Sequence, residues 1–157
     1  MPGFEKLEVE CITNEIAIWA NREPKIYAVA LVGSWARNEA HPDSDIDLMV
    51  LTSDPERFFH DNSWFDSIPW QELNLQLVNH YDRVYGVVKS RHFCFQDRQR
   101  IEFGFGYRSW ANIDPIDLGT LGVVSSGMRI ISDRHQLLEN LGRAIAFRRS
   151  SPKQSWS

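Results

Sequence analysis

Two apolar segments close together in the chain, the second with acids fixed at its start, limit the fold more than any other feature of the sequence. Residues 26–33, IYAVALVG, are an unbroken apolar run. The run is too short for a helix and rich in β-branched residues, so it reads as a buried strand ending at Gly33. A short connection later, DIDLMVL (45–51) alternates, with Asp45, Asp47, Met49 and Leu51 on one face and Ile46, Leu48 and Val50 on the other. A chain written this way builds a sheet that carries carboxylates side by side.

The rest of the chain supplies what surrounds that sheet. Residues 7–20 repeat apolar side chains at Ile12, Ile16, Trp19 and Ala20, the spacing of one helix face, and Pro24 stops the pattern. Ser34 reads as an N-cap and WARNEA (35–40) as a helix of one or two turns, cut off by His41-Pro42 because the residue before proline leaves the helical region. Residues 54–66 predict a short helix or loop, and 73–79 alternate with Leu73, Leu75 and Leu77 facing one way. YGVVKSRHFCF and RIEFGFGY flank Gln96-Asp97-Arg98-Gln99 and predict a hairpin. Residues 109–120 read as a loop, RIIS as a short edge strand, and 135–147 as a helix through Leu137, Leu138, Leu141 and Ile145. The expected fold is α+β, with a mixed sheet of about five strands flanked by helices. At 157 residues the chain fits one domain, placed over 1–148 and followed by a flexible tail, 149–157.

Charge and cysteine content narrow the function. With 17 basic against 21 acidic residues and a formal net charge of −4, no general electrostatic pull toward nucleic acid or anionic membrane is expected. Any polyanion must be held locally. Cys11 and Cys94 have neither a second Cys nor a His at finger spacing, so they read as core thiols rather than a disulfide or zinc site. No stretch approaches 18 uncharged apolar residues and the start lacks a signal-like apolar region, so a cytoplasmic protein without a membrane partner is expected.

Asp45 and Asp47, two apart on a strand, project from the same face about 7 Å from each other. Glu102 lies in RIEFGFGY, where Ile101, Phe103 and Phe105 fill one face and Glu102, Gly104 and Gly106 the other. If these strands are neighbours at about 4.8 Å, three carboxylates converge. At about 5 Å and an effective dielectric near 20, each ionised pair repels by roughly 3 kcal/mol, which calls for a cation. Hard oxygen ligands without His or Cys favour Mg²⁺ or Mn²⁺, and Mg²⁺ takes its remaining ligands from water and substrate phosphates. The implied substrate is a nucleoside triphosphate. A strand delivering Gly33-Ser34 into a short helix offers it backbone N–H groups, a close approach at Gly33 and a hydroxyl donor at Ser34.

Gly-Ser, then ten residues and Asp-x-Asp within SDIDLMV, followed by a later acid on an apolar strand, resembles the nucleotidyltransferase superfamily of DNA polymerase β, and most of all its minimal bacterial and archaeal members. The detailed likeness covers residues 26–51 and 100–107. It implies a mixed sheet flanked by helices, two Mg²⁺ ions, and transfer of a nucleoside monophosphate to a hydroxyl with loss of pyrophosphate, ATP being the usual donor. By position, Gly33 and Ser34 would hold the triphosphate, while Asp45, Asp47 and Glu102 would bind metal and carry the catalysis. This sequence departs from the family in having Asn38 where Gly is common and Glu102 where Asp is common.

Around this set, Arg37, Lys89, Arg91 and Arg100 are candidate contacts to the triphosphate or the acceptor. Asp43, Asp114 and Asp117 fit turn chemistry, Trp35, Trp70 and Trp110 fit core or rim positions, and the five histidines read as structural. The acceptor stays open among a small molecule, an RNA end and a protein hydroxyl, the last including a partner protein from a neighbouring gene. Two rival readings are a non-catalytic binding module, such as the antitoxin of a toxin pair, and an adenylyltransferase of a small antibiotic.

Overall fold

The computed structural model describes residues 3–150. Four helices, α1 (Lys6–Arg22), α2 (Pro55–His60), α3 (Leu118–Ser126) and α4 (Leu137–Ser150), surround six strands, β1 (Ile26–Val32), β2 (Ile46–Thr52), β3 (Leu77–Tyr85), β4 (Val88–Phe95), β5 (Arg100–Gly106) and β6 (Arg129–Asp133). The strand order is β3-β4-β5-β2-β1-β6. Only β2 and β5 run parallel; every other neighbouring pair is antiparallel. The sheet is therefore mixed, as expected, with six strands where about five were expected.

Alternation along the central strands sends each residue to one of two cores. Ile46, Leu48 and Val50 of β2, Phe93 and Phe95 of β4, and Ile101, Phe103 and Phe105 of β5 join α1 and α2 in the larger one. Its centre is aromatic. Trp64 meets Phe103 with ring centroids 5.0 Å apart, and Phe65 stacks on Phe93 at 4.3 Å. Trp70, 7% exposed, belongs to this core, while Trp35 packs at its edge and donates its indole N–H to the Ser44 carbonyl at 3.1 Å. On the opposite face Ala28, Ala30, Met49 and Leu51 pack against α3 and α4. Those helices leave the start of β2 and β5 uncovered, and the acids lie there.

Several elements differ from the expectation. Residues 34–38 make a single turn rather than a regular helix: the Arg37 amide bonds the Gly33 carbonyl at 3.2 Å, and the Glu39 amide returns to Ser34 at 3.0 Å. Asn38, at φ +58°, takes the left-handed conformation that closes a helix end in this way, so the turn stops before Pro42 is reached. Of the alternating stretch 73–79, residues 73 and 74 are turn and only 77–79 are strand, which starts at Leu77 and runs on to Tyr85. Residues 118–126, outside any predicted element apart from the end of the expected loop, form α3, capped by Asp117, whose carboxylate accepts from the Thr120 amide at 3.0 Å. Helix α4 continues past position 148 to Ser150; residues 151–157 of the expected tail lie outside the described residues. No helix among the described residues is long and apolar enough to cross a membrane.

Candidate active site

The parallel pairing of β2 with β5 sets Asp47 directly opposite Glu102, and extending the register backward sets Asp45 beside Arg100. The same-face rule puts all four on the face that α3 and α4 leave partly open. Asp47 is the inner member. Burial, then the charges of Glu102 and Asp45, raise its pKa from 3.8 to about 7, with Arg37 pulling the other way. A carboxyl held at that value accepts a cation readily, because a nearby positive charge restores the ionised form.

Gly33 explains how the preceding loop closes on this carboxylate. Its φ is +75°, and a Cβ built there would stand 2.3 Å from Asp47 Oδ2. Only glycine lets the end of β1 approach so closely while turning left-handed. Ser34 follows at the start of the turn, half-buried, and Arg37 lies at its exposed end, with Nε 3.3 Å from Glu39 Oε2. The phosphate seat predicted for a helix N-terminus is thus a single turn, which offers N–H groups but little macrodipole.

The outer carboxylates already have cationic or polar neighbours. Asp45 Oδ1 is 2.9 Å from Arg100 Nε and Glu102 Oε2 is 3.2 Å from His92 Nε2. Neither contact is aligned as a hydrogen bond, so Asp45 Oδ1 and both ring nitrogens of His92 are buried without a hydrogen-bond partner among the described residues. Among the described residues no three His, Cys, Asp or Glu side chains already stand as a closed metal-ligand group. Asp45 turns toward Arg100 and Glu102 toward His92. The donor chemistry still suits a divalent ion: three carboxylates share one face, and the central one is largely buried.

Lys89 and Arg91 are not with the acids. In the β4–β5 register His92 faces Glu102 and Ser90 faces Gly104, so Lys89 and Arg91 point to the opposite face of the sheet. Lys89 Nζ is 2.5 Å from Glu56 Oε1 of α2. Arg91, 7% exposed, clasps Asp82 at 2.7 and 3.0 Å, bonds Asn62 Oδ1 and lies over the Phe59 ring. The structure does not bring these two cations, expected from the sequence to flank a triphosphate, together with the acids: they tie β4 to α2 and β3. Of the cations named from the sequence, Arg37 and Arg100 remain at the site.

His92, which the sequence suggests is structural, and Ser90, which it does not single out, stand there instead. His92, 5% exposed, is stacked on Tyr81 with centroids 4.5 Å apart and presents its ring to Glu102. Ser90, 1% exposed, has a hydroxyl without a hydrogen-bond partner in the wall of a cleft of about 670 Å³ that begins at Asp47 and Glu102. Met49, Val88, Gly104, Trp110 and Val123 line its apolar part, and Tyr85, Gly86 and Val87 form one rim.

The nucleotidyltransferase domain signature matches residues 16–107, from the middle of α1 to the end of β5, and so takes in both acid-bearing strands and the Gly33 turn. The chain belongs to the nucleotidyltransferase domain family. A search of curated proteins finds no match. Among solved structures, the chain is similar to an aminoglycoside 6-adenyltransferase from Bacillus subtilis, with TM-score 0.47 and 12% identity over 64% of this chain and 35% of that one. It thus spans about a third of that enzyme's length. A toxin-antitoxin crystallised with AMP-PNP matches with TM-score 0.45 and 15% identity, over 87% of this chain and 86% of that one.

Proposed function

We propose that this nucleotidyltransferase domain transfers a nucleoside monophosphate from a nucleoside triphosphate, ATP by preference, to an acceptor hydroxyl in the cytoplasm. The observation that carries the reading is Asp47: a largely buried carboxyl, in register with Glu102, pressed on by the Gly33 turn and held near neutrality by burial and two like charges. Asp45, Asp47 and Glu102 are the residues that would hold Mg²⁺ or Mn²⁺, two ions at full occupancy. Bound there, the metal supplies the positive charge that a triphosphate and a departing pyrophosphate require.

The residues of the chain do the rest. The N–H groups of the turn after Gly33 and the Ser34 hydroxyl seat the phosphates, and Arg37 and Arg100 at the rim add charge. The acceptor oxygen bonds to the α-phosphorus as the bond from that phosphorus to the pyrophosphate oxygen breaks. Glu102 takes the proton released by the acceptor hydroxyl, and His92 sets the direction of that carboxylate. The apolar cleft with the Ser90 hydroxyl holds the non-phosphate part of a substrate. The test is pyrophosphate release with each nucleoside triphosphate across a broad acceptor screen, wild type against Asp47→Ala. Release by the wild type alone supports the reading; nucleotide binding without turnover for any acceptor, including neighbouring gene products, favours a binding module.

A further inference from the structure

We infer that the β3 edge is a self-association surface, on which a second copy of this chain adds its own β3 antiparallel to extend the sheet. β3 is nine residues long, all nine exposed, and among the described residues it pairs with β4 alone, leaving one row of backbone donors and acceptors open at the end of the sheet. Such edges are normally blunted by proline, lysine or short length. β3 has neither residue, and its one irregularity is the bulge between Leu77 and Asn79. It presents Val78, Val84 and Tyr85 at 62%, 63% and 51% exposure, with Val87 at 81% on the adjoining hairpin turn.

The sequence LVNHYDRVY selects the occupant. A two-fold axis perpendicular to the sheet keeps every side chain on its own face, so each residue meets one of the same parity and the residue at the axis meets itself. Centring on Asp82 opposes two carboxylates, and centring on Arg83 opposes two guanidinium groups, both unfavourable. Centring on His80 leaves Val84 and Tyr85 opposite residues that precede the strand. Centring on Tyr81, the middle residue, overlaps all nine: His80 meets Asp82, Asn79 meets Arg83, and the apolar ends, Leu77 with Val78 and Val84 with Tyr85, come together. This register is the one of the four that overlaps the whole strand, and its like pairs, Tyr81 with Tyr81 and Val78 with Val84, carry no charge. Asp82 is held from behind by Arg91 and keeps 40% of its side chain exposed, which leaves it an outward edge for the second copy's His80. The strand that would be clamped leads into Tyr85, Gly86 and Val87, the rim of the active-site cleft, so association would steady one wall of that cleft.

Sedimentation velocity and a cysteine cross-link test this directly. The wild type is expected to pass from monomer to dimer as concentration rises, and His80→Asp, which opposes two carboxylates on either side of the axis, is expected to weaken the dimer about tenfold or more with unchanged circular dichroism. In a Cys11→Ser background, Tyr81→Cys is expected to form a disulfide dimer on mild oxidation, and Val84→Cys, far from the axis, is not. A wild type that stays monomeric at every concentration overturns the inference, whatever other strand the edge then accepts. Cross-linking at position 84 as fast as at 81 overturns it as well, and the wild-type and His80→Asp sedimentation results stand if Tyr81→Cys fails to fold.

Discussion

Replacing Asp47 by Asn tests the origin of the site's charge, because Asn keeps the shape beside Gly33 and removes only the ionisation. In the folded chain Asp47 holds its proton up to about pH 7, whereas in the unfolded chain it loses it near 3.8. The native state therefore binds more protons than the unfolded state between those values, and stability contributed by this group falls as pH rises. At about 1.4 kcal/mol per tenfold, the penalty of the ionised carboxylate is about 4 kcal/mol at pH 8 and about 2 kcal/mol at pH 5, as upper values for a partly solvated group. Without divalent metal, Asp47→Asn is expected to be more stable than the wild type at both pH values, with the advantage about 2–3 kcal/mol larger at pH 8. Urea melts at the two pH values measure it. An advantage that does not grow between pH 5 and pH 8, or a variant less stable than the wild type at pH 8, would refute the argument that burial and the neighbouring acids hold this carboxyl near neutrality.

Gly33→Ala forces an alanine into a left-handed conformation, which costs about 1–2 kcal/mol, and drives its Cβ into the Asp47 carboxylate; thermal melts should show the loss, and any stabilisation by Mg²⁺ should shrink with it. Arg91→Ala should lower stability by about 1–3 kcal/mol, since Asp82 and Asn62 lose their partner, yet leave nucleotide affinity measured by calorimetry unchanged; a large loss of nucleotide affinity in a well-folded variant would return Arg91 to the site. His92→Phe keeps the stack on Tyr81 and deletes the nitrogen facing Glu102; turnover should fall about tenfold or more with nucleotide affinity retained, and equal turnover would leave His92 a packing residue.

Much of this arrangement was legible because the central strands have only one way to face. β1, β2 and β5 are apolar on the buried side without interruption, so alternation alone sets Asp45, Asp47 and Glu102 on a common face. The cations were not legible because their faces hang on one residue of hairpin register. A loop of residues 96–99 alone would pair Phe93 with Glu102 and bring Arg91 and Lys89 to the acids' side. Instead Phe95 donates to the Gln99 carbonyl at 2.7 Å while Asp97 and Arg98 both take left-handed conformations, which shifts the pairing by one and sets His92 opposite Glu102. Nothing in the composition of QDRQ announces that turn. β3 hid for another reason: a strand exposed along its whole length has no need of an alternating pattern. α3 hid because LGTLGVVSS holds two glycines and two valines, poor helix formers, and forms through its Asp117 cap and burial of Thr120 and Val124. The single turn at 34–38 depends on Asn38, whose tolerance of positive φ was readable but whose effect on helix length was not.

Electron paramagnetic resonance of bound Mn²⁺ tests the central claim without knowledge of the acceptor. If Asp45, Asp47 and Glu102 hold the metal beside a triphosphate seated on the Gly33 turn, the wild type should bind Mn²⁺, bind it more tightly when ATP is present, and lose both effects in the double variant Asp45→Asn/Asp47→Asn while remaining folded. Mn²⁺ binding and ATP enhancement that persist in the folded double variant would place the metal elsewhere and contradict the account.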